Sequence, residues 1–243
     1  MRETEVDLGG HPGLLVRPTT ARWFYLLAHG AGAGMRHAFM TDIAEALADR
    51  GVATLRWEFP FMAAGKPRTD TKAVAERAVR EVWTASAKHA GALPRFAGGK
   101  SFGGRMTSGA HAAEPLAELC GIAFLGFPLH PPEKPGIERA EHLAAANGPL
   151  LFLQGSRDDL ADLELLRPVV TKLGGRAKLV VIDEADHGFD VLVRSGRTRA
   201  EVIQQLAFLI AKWMEQKAAK ASKPARPKPS KPKTARTKSR SRS

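Results

Sequence analysis

The chain has 243 residues, 44% of them hydrophobic, enough for one large domain or two small ones of ordinary globular composition. Its single cysteine, Cys120, excludes an intramolecular disulfide framework, and no run of about 18 apolar residues is present to make a membrane helix. The net charge of +12 is concentrated at one end: from Lys217 onward there are 11 Lys and Arg and no acid, leaving 26 bases against 25 acids in residues 1–216, a net of +1. Met1–Gly10 lacks the apolar core of a signal peptide, so a reducing, cytoplasmic address is expected.

In chain order, Leu14–Arg17 lies in an early strand. Trp23–Ala28 is an apolar strand that runs into a Gly-rich loop. Ala38–Arg50 has helical periodicity and is closed by Gly51, and Val52–Trp57 is the next strand. Thr69–Ala90 is expected to be one long helix, with Ala73, Ala78, Val82 and Ala85 among its small apolar positions. Phe96–Gly99 is a short strand and Gly103–Ala113 a helix. Ile122–Phe127, Leu150–Leu153 and Lys178–Ile182 are three further strands, with a helix over Leu160–Leu173. His130–Asn147 is the one sizeable connection, long enough for a small cap. A last helix over Arg199–Lys217 places Val202, Leu206, Leu209 and Trp213 on one stripe. Strands separated by helices predict a mostly parallel sheet covered on both faces in residues 1–216.

From Lys217 to Ser243 the composition turns to Lys, Arg, Pro, Ser, Thr and Ala. Such a segment cannot bury enough apolar surface to offset its ordering entropy and is expected to be a disordered tail. Its positive charge suits weak, non-specific binding of nucleic acid or another polyanion by counterion release, and it has no aromatic residue for base stacking. A silent, solubilising extension is the alternative.

Gly99-Lys100-Ser101-Phe102-Gly103 fits the G-x-S-x-G turn in which a serine sits between a strand and a helix with its hydroxyl held toward substrate. Serine is a weak nucleophile and needs a base, an orienting acid and an oxyanion site. The order Ser, Asp, His, each after a strand, is met by Ser101, Asp158 and His187. His187 would take and return the Ser101 proton, and Asp158 would fix its tautomer. Asp159 is the competing acid, and either aspartate could instead cap the following helix. Phe102 N–H and Ala31 N–H, the latter in His29-Gly30-Ala31-Gly32-Ala33-Gly34, are the candidate oxyanion donors.

His29, Arg56 and His130 are weaker candidates for the substrate pocket, His29 and His130 by their places after strands and Arg56 by its place near the end of Val52–Trp57. The competing readings are a loop-shaping role for His29, a structural ion pair for Arg56 and a Pro-rigidified loop around His130. His111 is expected on a helix surface and Cys120 in the core. Gly99-Lys100-Ser101 also resembles the end of a phosphate loop, but that pattern needs a glycine where the chain has Pro94. No metal and no cofactor is expected. The expected reaction is acyl transfer on a small ester, thioester or lactone. A non-catalytic binding module is the alternative.

Ala28–Met35, Gly98–Arg105 and Gly126–Pro132 together resemble the α/β-hydrolase-like family named for the KANSL and testis-expressed proteins, compact relatives of the dienelactone hydrolases. The similarity spans roughly residues 5–215. It implies an α/β-hydrolase fold with a minimal cap and a triad at Ser101, Asp158 and His187. It does not imply a substrate, since some relatives resemble scaffold subunits rather than enzymes.

Overall fold

The computed structural model describes residues 2–221, with side chains to 219. Eight strands form one sheet: β1 (Glu3–Asp7), β2 (Pro12–Val16), β3 (Trp23–Ala28), β4 (Val52–Trp57), β5 (Arg95–Lys100), β6 (Leu119–Leu125), β7 (Leu150–Gly155) and β8 (Ala177–Ile182). Their spatial order is β1-β2-β4-β3-β5-β6-β7-β8, antiparallel through β1, β2 and β4 and parallel from β4 to β8. The helices are α1 (Ala38–Ala48), α2 (Pro60–Ala63), α3 (Lys72–Ala85), α4 (Ala87–Ala90), α5 (Phe102–Ala113), α6 (Leu163–Lys172) and α7 (Arg199–Ala221).

Alternation along the strands builds the two layers. Trp23, Tyr25 and Leu27 of β3 face α1 and α7, joining Phe39, Ile43, Leu206 and Trp213 in one core. Phe24, Leu26 and Ala28 face the other way and meet Val79, Val82 and Met106 of α3 and α5. A third cluster, with Phe124, Phe152 and Leu166, continues that second layer under α6. The central strands are buried on both faces, which is why they read as continuous apolar runs.

Four expectations change. The polar edge strand β1 pairs Glu3 with Val16 and Asp7 with Pro12, an element that no hydrophobic pattern announces. The long helix breaks at buried Ser86, whose hydroxyl donates to the Trp83 carbonyl and competes with the helical ladder. Its buried face is Ala75, Glu76, Ala78, Val79, Val82 and Trp83, so Ala73 is exposed. Finally, α7 continues through 217–221, where the tail was expected to begin. The rest of the basic segment, 222–243, lies outside the described residues.

His130–Asn147 holds a 3-10 turn at Glu138–Ala144 instead of a cap over the sheet's ligand edge. Arg176 ties it down by donating to the Ala146 and Leu143 carbonyls at 2.5 and 2.6 Å.

Candidate active site

The turn from β5 to α5 is set by backbone packing. A side chain at Gly99 would overlap the Ala28 carbonyl of β3, and one at Gly103 would overlap the His29 carbonyl. Only glycine lets the strand and the helix pass that closely. Between them Ser101 has φ 49° and ψ −116°, a strained conformation for a non-glycine residue, and its N–H donates to the Leu125 carbonyl at 3.0 Å. The strain turns the hydroxyl off the sheet edge toward the loops after β7 and β8.

Those loops bring in the other two residues. His187 Nε2 lies 2.9 Å from Ser101 Oγ, and His187 Nδ1 lies 2.8 Å from Asp158 Oδ2. A carboxylate accepts, so Nδ1 carries the proton, and Nε2 is left to accept from the serine hydroxyl. The Asp158 side chain is fully buried and saturated: Oδ1 accepts from Leu160 N–H at 2.8 Å, and Oδ2 also accepts from the Gln154 amide. Gln154 is itself anchored, its Oε1 accepting from Phe127 N–H at 2.9 Å. The loops carrying Asp158 and His187 are also laced together, Arg157 N–H to the Ala185 carbonyl and Glu184 N–H to Ser156 Oγ. Asp159 is exposed and forms no bond to His187; Asp162 caps α6, which starts at Leu163 instead of Leu160. Neither Asp158 nor Asp159, the two expected cap candidates, caps that helix.

The Gly-rich loop is braced from beneath. His29 is buried; its Nε2 accepts from Phe59 N–H at 3.1 Å, so Nδ1 is protonated and donates to the Gly30 carbonyl at 2.6 Å. Burial holds its pKa below the usual imidazole range. Arg56, fully buried, donates to the Met35 carbonyl and to Thr41 Oγ1, both at 2.9 Å, and pairs with Glu3. Burial pushes its pKa down to about 10. Neither His29 nor Arg56 lines the cavity, which corrects their assignment to the pocket: both shape the loop that does. Phe102 opens α5, so its N–H is one of the helix's first amides without an intrahelical acceptor, and Ala31 lies at the cavity wall.

A cavity of about 360 Å³ lies over Ser101; Ala33, Phe39, Met40 and Leu160 supply apolar wall and His37 lies beside them. Two cations border it. Arg199 is neutralised by Asp190 at 2.8 Å and Asp42 at 4.0 Å. Lys100 donates to the backbone carbonyl of His187, and burial pushes its pKa down to about 8 despite Asp158, Asp186 and Asp190 nearby.

His130 is a second correction. Its Nε2 accepts from Asp162 N–H at 2.9 Å and its Nδ1 donates to the Pro131 carbonyl at 2.8 Å, so it holds a loop and is absent from the cavity wall. No residue of 130–147 lines the cavity. His111, expected at a surface, is buried; it accepts from Leu116 N–H at 3.0 Å and donates to the Asn147 carbonyl at 3.0 Å. Cys120 is half-buried against the α7 core. The sequence reading missed Gln154, Phe39, Met40 and Leu160; the last three are apolar residues one or two positions from a loop, a signal too common to single them out.

The chain belongs to the α/β hydrolase domain family, whose pattern matches residues 21–215. Among solved structures, the fold is shared with a dienelactone hydrolase from Anabaena variabilis, with a TM-score of 0.68 at 22% identity over 88% of this chain and 97% of that one. It is shared with an α/β serine hydrolase homologue from Coxiella burnetii, with a TM-score of 0.65 at 19% identity over 86% and 97%. A Xanthomonas campestris α/β serine hydrolase described as lacking a lid gives 0.65 at 17% identity over 87% and 94%. Among the described residues, no helix is long and apolar enough to cross a membrane.

Proposed function

We propose that the protein is a serine hydrolase that cleaves small carboxylic esters, thioesters or lactones with an apolar acyl group. The observation that carries this reading is the hydrogen-bond chain from Ser101 Oγ through His187 to Asp158, at 2.9 and 2.8 Å, at the floor of an apolar cavity. Ser101 Oγ attacks the carbonyl carbon while His187 Nε2 takes its proton, and Asp158 stabilises the imidazolium. The oxyanion is received by the N–H groups of Phe102 and Ala31. Collapse breaks the bond to the leaving alcohol or thiol, which departs with the proton from His187. A water then repeats the sequence and frees the acid and Ser101.

Hydrolysis of p-nitrophenyl butyrate followed in the first milliseconds tests this. The reading expects a burst of one p-nitrophenolate per chain, abolished by Ser101→Ala and His187→Ala. Turnover unchanged by both substitutions overturns it, and a folded wild-type chain with neither burst nor turnover leaves a hydrolase-fold binding module. Kinship with the KANSL and testis-expressed group is a proposal resting on the three motifs in order. The basic segment from Lys217 is proposed as a weak polyanion-binding arm, supported by its 11 bases without an acid.

A further inference from the structure

We infer that Lys100 is a positioning residue whose ammonium pins the His187 carbonyl and thereby fixes the imidazole between Ser101 and Asp158. The inference rests on the serine-hydrolase reading. Lys100 is the last residue of β5, one before the nucleophile, yet its side chain crosses the ends of the neighbouring strands to reach the loop after β8. It passes over Gly126, which has φ +71°. A β-carbon there would lie 3.3 Å from Lys100 Nζ and 3.4 Å from the His187 ring, so the ammonium and the imidazole share one small space. The rings of Phe39 and Phe189 face the ammonium at 5.8 and 5.4 Å and stack on each other at 5.8 Å.

The charged groups around it are Asp158 from the loop after β7, Asp186 and Asp190 from the His187 loop, and Arg199 from α7, whose guanidinium lies 6.0 Å from the Phe39 ring centroid. Three carboxylates favour the ammonium, and burial opposes it more strongly. A lysine held in a pocket that penalises its charge lowers stability at neutral pH. A methionine would fill the same space beside the two stacked rings without that penalty. Residues that break a local rule in this way concentrate where function requires them. A charge-assisted bond to the His187 carbonyl supplies the reason, because a 1 Å displacement of the imidazole would unmake the 2.9 Å contact to Ser101.

The test compares wild type with Lys100→Met, which removes donor and charge, and Lys100→Gln, which keeps a donor. Steady-state kinetics on p-nitrophenyl butyrate, fluorophosphonate labelling rate and thermal midpoint at pH 7 are measured for each. The expected result for Lys100→Met is a kcat at least tenfold lower, KM within twofold, slower labelling of Ser101 and a midpoint several degrees higher. Lys100→Gln should recover part of kcat. A kcat within twofold of wild type in both variants overturns the inference. So does a loss of kcat accompanied by a lower midpoint in both variants, which is the behaviour of a merely structural residue. Wild-type chain that neither labels nor turns over identifies failure of the underlying hydrolase reading instead.

Discussion

Replacing Asp158 by asparagine separates the acid's charge from its shape. Three donors converge on this carboxylate: Leu160 N–H on one oxygen, and His187 Nδ1–H and the Gln154 amide on the other. Asparagine offers a single oxygen. With that oxygen toward His187, its NH₂ opposes Leu160 N–H. With the NH₂ toward His187, the Gln154 amide is stranded and the imidazole takes the other tautomer, whose Nε2–H cannot accept from Ser101. Either way one buried donor is left unsatisfied, at a cost of about 1–3 kcal/mol in stability. Both orientations also remove the negative charge facing the imidazolium, so kcat should fall roughly 10³–10⁴-fold, about 4–5.4 kcal/mol of transition-state stabilisation. KM should change little, since Asp158 is absent from the cavity wall. Stopped-flow hydrolysis of p-nitrophenyl butyrate reads the first effect and urea unfolding the second. Asp158→Asn retaining more than a tenth of wild-type kcat, or Asp159→Asn losing as much, would refute the assignment of the acid.

Gly103→Ala should destabilise the fold by about 3 kcal/mol in urea unfolding, because its new methyl meets the backbone at Ala28 and His29, which cannot give way. A change below about 0.5 kcal/mol would contradict the close packing of α5 against β3. Lys100 also makes a pH prediction. Its folded pKa of about 8 lies below the ordinary 10.5, so the unfolded chain binds the proton more readily, and the burial cost is full below pH 8 and fades as pH rises toward 10.5. Wild type should therefore gain about 3 kcal/mol relative to Lys100→Met across that window, and parallel pH profiles would argue against it. A chain ending at Ala221 should lose low-salt retention on a DNA column relative to the full chain; equal retention of the two would place any polyanion binding elsewhere.

Much of the architecture is legible because the parallel strands are buried on both faces and stand out as apolar runs. β1 is not legible: Glu3–Asp7 is an edge strand with one partner, and its charges serve to blunt that edge. The helical pattern through Thr69–Ala90 gives no sign of the break, which depends on Ser86 turning inward to Trp83 and accepting from Arg95 at 3.0 Å. At the candidate site, the order of Ser101, Asp158 and His187 after their strands is readable because each lies at the same end of a parallel sheet. Which way a strand-end side chain faces is harder to read. Arg56 alternates with Leu55 and Trp57, so it points toward α1 and Thr41 and away from the opposite core. Gln154 and Lys100 were missed for a similar reason: Phe127, which anchors Gln154, and His187, which Lys100 reaches, lie 27 and 87 positions away in sequence. His29 and His130 each have both ring nitrogens engaged by backbone groups, a state that no sequence pattern distinguishes from a free imidazole.

The central claim is that Ser101 is an activated nucleophile. Intact-mass analysis after incubation with a fluorophosphonate tests it most directly. One adduct per wild-type chain, mapped to the peptide containing Ser101, absent in Ser101→Ala and strongly slowed in His187→Ala, is the predicted result. No adduct on folded wild-type protein, or equal labelling of Ser101→Ala, would contradict it.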